Sequence, residues 1–424
     1  MTSSKVLKKR ASNKNSKQRI LVVYRSLSSK RHFHTIRSKY NISYERIDYS
    51  IDPQVQLTNI ADRNHSDLVL GIADSTSMFV SCLAKKLNHK YVSTNSIITM
   101  QHKGLFAKFA TKYFPKHILS TSYINTNSSK IPTNLKYPLF IRPVRSNLSM
   151  SAYRVDSRTK LINILQQPIS SKRKVARDWY IKLIKAVKLD IPYGLDINSY
   201  IIQPYLRAEQ FTLDGFITNK KLKILGITRS VLTKDQHSFD RFEFPVFVPV
   251  HIMKKLEHIL NQIILHSKLN NTAFNLEFFI TASDNVIIIE LNTRISAQFI
   301  PLFLQRYIKH PLEMNIEAAQ GIFTNISVKK SPMLATCFIL RKKFDSLVLR
   351  IPTKEEIKEL TKSKFVIEIK IFSKENTKLS DSGQDEYSYR YASIVIKGSS
   401  KSAINREYLK TKSKLLKLIE LKRV

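Results

Sequence analysis

Glu277, Glu290, Asn292 and Arg294 are the side chains in this sequence whose types and spacing best suit chemistry. Residues 274–280 and 286–296 are rich in β-branched and aromatic side chains, and a polar break at 281–285 separates them. That pattern signals a hairpin. A turn centred on Ser283-Asp284 puts Glu277 directly opposite Glu290. Alternation along the second strand places Glu290, Asn292 and Arg294 on one face. Two carboxylates in a cross-strand pair repel each other, and a mostly apolar hairpin adds a desolvation cost. A hard divalent cation between them offsets both penalties. Ligands that are all oxygen suit Mg²⁺, with Mn²⁺ as an alternative ion. The competing reading is a solvated outer face with two unrelated acids. Asn292, two residues after the second acid, and Arg294, two further on, weigh toward the cation. Together they offer metal ligands and a phosphate clamp.

Stepping outward, the 424 residues are enough for two to four subdomains with their own cores. No run reaches the ~18 apolar residues of a membrane helix, so the expectation is a soluble chain with no membrane partner. Cys82 and Cys337 stand far apart without CxxC or CxxH neighbours. This argues against a disulfide scaffold or a zinc site and for a reducing, cytoplasmic setting. The net charge is +39, from 71 basic and 32 acidic residues. One reading is a nucleic-acid or anionic-surface binder. The other is compositional drift. Only 8 glycines occur, against a usual ~7%, and Lys, Ile and Asn are abundant, as AT-rich codons would make them. The basic residues are also spread along the chain, which favours drift and makes nucleic acid the lesser partner.

Residues 1–19 carry seven Lys or Arg and no acid, and read as a disordered tail. Residues 20–24, 44–49 and 67–71 read as strands, with a basic helical stretch to Tyr40 and a helix at 77–87. The alternation predicts a small α/β unit with a parallel sheet. A helix is expected at 101–113, with Lys103 near its start. Strands at 137–143 and 153–155, helices at 159–166 and 171–188, and a strand at 200–206 that runs into a hinge follow. Strands at 209–217 and 221–231 come next. Residues 235–250, with His237 and two prolines, read as a loop. Residues 252–269 show amphipathic helical spacing, and 311–319 form a helix stopping near Gly321. Beyond 331 come strands at 335–340, 347–351, 365–372 and 392–397, then a Lys-rich helix at 399–421.

This order of pieces resembles the ATP-grasp superfamily, nearest to its carboxylate–amine (amino-acid) ligases, over residues 20–420. The resemblance rests on Glu277 with Glu290-Leu291-Asn292-Thr293-Arg294, on Gln203-Pro204-Tyr205-Leu206-Arg207-Ala208-Glu209, on the strand 137–143, and on Ser393–Ala403 as the family's closing strand, glycine turn and helix start. It implies α/β plus α+β architecture. A tail (1–19) precedes a pre-ATP-grasp α/β domain (20–100). A small lobe (101–205), a large lobe with the metal site (206–330) and a C-terminal α+β subdomain (331–424) follow.

The resemblance also implies roles. Glu277, Glu290 and Asn292 are Mg²⁺ ligands, and Arg294 contacts phosphate. Gln203, Tyr205 and Leu206 lie at adenine and Glu209 at the ribose. Lys103 and Arg142 reach the ATP phosphates. The implied activity joins a small-molecule carboxylate to an amine through an acyl phosphate, with ATP and Mg²⁺, and dimers are common in the family.

Two departures stand out. Arg142 occupies the place of the usual phosphate lysine. The loop 144–151 has no glycine, although backbone N–H groups approach phosphate most closely where glycine is present. Arg145 and Ser149 are candidates to compensate through their side chains. These departures keep open a degenerate member that only binds nucleotide or nucleic acid. A purine-pathway carboxylase-like ligase is a further alternative. Arg229, on a second-lobe strand, is a lesser candidate to face the site. The substrate pockets are expected within 235–250 and 295–306.

Overall fold

The computed structural model describes residues 17–125, 131–146, 151–167, 171–189, 191, 198–235, 238–382, 384–385 and 387–424, with backbone alone at 28 and 171–173. Four consecutive apolar residues, Ile20, Leu21, Val22 and Val23, are fully buried in the first strand. Ile20 and Val22 face one core and Leu21 and Val23 another, as in a parallel sheet covered on both sides. That sheet has the order β2-β1-β3. It is built from β1 (Arg19–Tyr24), α1 (Leu27–Phe33), β2 (Asn41–Arg46), α2 (Pro53–Arg63), β3 (Leu68–Leu70) and α3 (Asp74–Lys86). β2 begins three residues earlier than expected. Parallel pairing of Arg19 with Asn41 sets its register, and past it the Asp48 side chain turns the chain by accepting from Ser50 N at 2.9 Å.

The helix expected at 101–113 is α5 (Lys103–Tyr113), and Gln101 instead ends a separate helix, α4 (Thr94–Gln101). His102 between them has ψ 105°, outside the helical range, and its ring Nδ1 caps α5 by accepting from Leu105 N at 3.2 Å. Lys103 therefore opens α5, and its backbone N–H donates to Val144 O.

A four-stranded antiparallel sheet, in the order β4-β7-β5-β6, follows. Its elements are β4 (Ser122–Asn125), β5 (Leu139–Pro143), β6 (Tyr153–Val155), α6 (Arg158–Leu165), α7 (Ser171–Ala186) and β7 (Ser199–Pro204). Trp179 of α7 is buried, as its helical spacing suggests.

The rest of the chain makes β8 (Glu209–Thr218), β9 (Lys221–Leu232), β10 (Phe239–Val246), α8 (Val250–Ser267), β11 (Thr272–Ile280), β12 (Val286–Asn292), α9 (Ile300–Phe303), α10 (Pro311–Gln320), β13 (Leu334–Lys342), β14 (Ser346–Arg350), α11 (Lys354–Leu360), β15 (Val366–Ile371), β16 (Tyr389–Gly398), α12 (Lys401–Leu416) and β17 (Glu420–Arg423). Eight of these strands form one sheet, β12-β11-β8-β9-β10-β13-β16-β15, and β14 pairs with β17. Ile252, Leu256, Ile259, Leu260 and Ile263, one stripe of α8, are fully buried in the core that also holds Leu213, Leu276 and Leu291 of the sheet.

Two expectations change here. Residues 235–250 are not a loop: β10 lies inside the large sheet, between β9 and β13. Its period-two pattern, with Phe242 and Phe244 buried, is interrupted by Pro245 where the register with β9 shifts. The final helix stops at Leu416, because the chain must straighten to pair β17 with β14. The sheet also runs across residue 331, since β10 hydrogen-bonds to β13.

Candidate active site

Glu277 on β11 and Glu290 on β12 are direct cross-strand partners. The pairing is the expected one, but its cause is different. The loop closes with Ile280 opposite Val286, and the extra residue sits in the strand: Phe278 pairs with Ile288 and Glu277 with Glu290, leaving Ile289 as a β-bulge. The bulge reverses the alternation. Val286 and Ile288 before it, and Leu291 after it, all join the α8-side core, while Glu290 and Asn292 turn to the other face.

β8 lies beside β11 with Thr212 opposite Glu277 and Asp214 opposite Asn275. One polar face thus collects Gln210, Thr212, Asp214, Asn275, Glu277, Glu290 and Asn292. Gln210 Nε2 donates to Glu277 Oε2 at 3.2 Å. Gly215 follows Asp214. A Cβ there would lie 2.5 Å from Lys223 O and 2.7 Å from the Phe274 ring, so the close approach of these strands requires glycine.

The small sheet and α5 each deliver a cation to this face. Arg142, buried on β5, donates to Glu290 Oε2 at 3.3 Å, to Ile289 O at 3.2 Å and to Gln203 Oε1 at 3.3 Å. Gln203, buried on β7, donates its own amide to Thr121 Oγ1 at 2.9 Å. Lys103 Nζ lies 3.2 Å from Glu290 Oε2 and donates to Ser146 O at 3.1 Å. These contacts split the acid pair. Burial and the neighbouring Glu290 hold Glu277 well above the usual carboxylate range. Burial alone would raise Glu290 too, but Lys103 and Arg142 hold it below that range. Lys103, Arg142, Gln203, Glu277, Glu290 and Asn292, separated by up to 189 positions in sequence, meet in one cluster.

The other expected residues lie around it. Tyr205 N donates to Pro138 O at 3.0 Å, and the Arg154 guanidinium stacks 4.8 Å from the Tyr205 ring. Leu206 follows at the hinge, half-buried. Glu209 is exposed and pairs with Arg229, the other second-lobe candidate. Arg294 lies past the end of β12 and pairs with Asp74 of α3 at 2.8 Å. Arg145 donates to the Asp74 carbonyl at 3.1 Å and stacks 3.4 Å from the Tyr180 ring, so its side chain is turned to the first sheet's helices. Ser149 and His237 lie outside the described residues.

Residues 135–301 match a family model described as the ATP-grasp domain. That match places an ATP-grasp domain at residues 135–301. No curated protein matches the chain in sequence. Among solved structures, the L-amino acid ligase from Bacillus licheniformis is 12% identical with a TM-score of 0.73, covering 96% of this chain and 99% of that one. Phosphoribosylglycinamide synthetase from Anaerococcus prevotii is 14% identical with a TM-score of 0.61, covering 96% and 100%. N5-carboxyaminoimidazole ribonucleotide synthetase from Thermotoga maritima is 9% identical with a TM-score of 0.62, covering 96% and 100%. At such identities the likeness is one of fold, the ATP-grasp fold.

Within the ATP-grasp domain, the donor set fits a hard cation: two carboxylates and one amide, all oxygen. Among the described residues no group of three His, Cys, Asp or Glu could hold a metal; here the two carboxylates stand with the Asn292 amide beside Glu290. Sequence reading missed four polar residues of the site and its margin: Gln210, Asp214, Asn275 and Asp74. Gln210-x-Thr212-x-Asp214 is a polar alternation inside an otherwise apolar strand, a signal that was present. Asp74, at the first turn of a helix in another sheet unit, gave none.

Proposed function

We propose that this chain is an ATP- and Mg²⁺-dependent ligase that joins a carboxylate to an amine through an acyl phosphate, releasing ADP. One observation carries the reading: Arg142 bridges Glu290 on the large sheet and Gln203 on the small one, so the acid pair and the hinge side meet at one guanidinium. Gln203, Tyr205 and Leu206 hold adenine, and Glu209 reaches the ribose. Glu277, Glu290 and Asn292 would hold Mg²⁺, which would supply positive charge to the phosphates when bound.

Lys103 and Arg142, which pair with Glu290, would also meet the phosphates. Arg294 leaves or shares Asp74 to meet the transferring phosphoryl group and the acid. Catalysis of this kind is positioning plus charge neutralisation, so no protein nucleophile is required. The amine then displaces phosphate, and closure of the two sheets over the cleft keeps water from the acyl phosphate. No described helix is long and apolar enough to cross a membrane. The buried free thiols Cys82 and Cys337 accord with a reducing, cytoplasmic setting.

The test is a screen of amino acids and small carboxylates, with and without amines, for ADP release. ADP formed only when acid, amine and Mg²⁺ are all present supports the reading. ADP release indifferent to every acid overturns it.

A further inference from the structure

Asp214 is 0% exposed and sits on the polar face beyond the acid pair. Its Oδ2 accepts from Asn275 Nδ2 at 3.0 Å, and its Oδ1 from the backbone N–H of Ser296 at 3.2 Å. Asn275, 2% exposed, turns its Oδ1 toward Asn292 Nδ2, 3.5 Å away. Asn292 Nδ2 also lies 3.4 Å from Glu290 Oε1.

The chemistry of these groups makes the chain directional. A carboxylate only accepts, whereas an amide has one accepting and one donating end. Asp214 therefore takes the NH₂ of Asn275, which leaves the Asn275 carbonyl for the NH₂ of Asn292. Asn292 spends its NH₂ on Asn275 and Glu290, so its Oδ1 is the atom left for a cation. We propose that Asp214 is a positioning residue that sets the Asn292 amide, through Asn275, so that oxygen rather than nitrogen faces the cation. The inference rests on the cation reading above. It assigns a task to a residue on the strand beside Glu277's and two strands from that of Glu290 and Asn292, whose carboxylate is held by Asn275 and Ser296.

Asp214→Asn is nearly isosteric and tests it. The new side chain still offers Oδ1 to Ser296 N–H, but its NH₂ confronts the NH₂ of Asn275. Asn275 turns over, and Asn292 follows. Mn²⁺ affinity, followed by electron paramagnetic resonance with ADP present against a protein-free Mn²⁺·ADP control, is expected to fall by about 10–100-fold. The Tm without metal should not fall in proportion. Asn292→Asp supplies the second arm, because a carboxylate at 292 presents oxygen whichever way it is turned. In that background Asp214→Asn should cost no further Mn²⁺ affinity.

Equal Mn²⁺ affinity in wild type and Asp214→Asn overturns the inference and leaves the cation site standing. An equal loss in both backgrounds also overturns it, since Asp214 would then act only by anchoring Ser296. A wild-type chain that holds no Mn²⁺ beyond the control removes the cation reading and this inference together.

Discussion

The strands β8, β11 and β12 have two faces of opposite character. One presents Gln210, Asp214, Asn275, Glu277, Glu290 and Asn292. The other presents Phe211, Leu213, Leu276, Phe278 and Leu291 to α8. Neighbouring residues in sequence thus belong to different tasks: Glu277 lies between Leu276 and Phe278, and Leu291 between Glu290 and Asn292. The apolar side gains by removing surface from water, roughly 1.5–3 kcal/mol per large side chain. The polar side works against that gain, because it sets two acids opposite each other and fully buries a third, Asp214. Stability and chemistry are separated here by the two-residue period of a strand, with no division of the chain into stable and active segments.

Substitutions on the two faces should therefore fail in different ways. Phe278→Ala removes a fully buried ring stacked 5.7 Å from Phe211. It should lower unfolding free energy by about 3–5 kcal/mol in denaturant titration while leaving turnover per folded molecule near wild type. Glu290→Gln should do the reverse, with ADP release down by about 10²–10³-fold and the chain still folded by circular dichroism. Wild-type turnover in Glu290→Gln would end the division of labour.

Asp214 tests the energetic cost of the polar face. Burial pushes its carboxyl from 3.8 up to about 6, so the folded state holds a proton that the unfolded chain has already lost. Stability from this group is thus greatest below pH 4 and declines as pH rises through about 6. A shift of about two units corresponds to about 3 kcal/mol. Asp214→Asn should abolish that slope relative to wild type, read as the difference in unfolding free energy between pH 4 and 7.

Gly215→Ala sits between the faces. Its Cβ meets backbone and ring atoms below 3 Å, and about 1–3 kcal/mol should be lost to strain. The smallest effect on stability belongs to Glu209→Ala. Its pairing with Arg229 is solvent-exposed, so unfolding free energy should move by less than about 1 kcal/mol. Loss of the proposed ribose contact should nevertheless raise the KM for ATP several-fold.

Much of this arrangement is legible in residue order. The acid pair stands out because carboxylates are costly in an apolar ribbon, whereas Gln203 enters through the resemblance. The cluster that joins Arg142, Lys103 and Glu290 follows from the resemblance more than from any local pattern, since three separate elements supply it. β10 was hidden because Pro245 breaks a good alternation at a register shift. The Arg294–Asp74 pair was hidden because it depends on how the first sheet's helices meet the end of β12, which no window of sequence contains. The loop at 144–151 shows a related limit: Arg145 looked suited to phosphate, yet Tyr180 and the Asp74 carbonyl hold it.

Ile289 bears on how this chain is lined up with others. Counting outward from the turn, without a gap opposite the bulge, puts Ile289 in the column of the second acid and shifts every later position by one. The extra residue sits inside β12, between Ile288 and Glu290, and not among the polar residues of the loop.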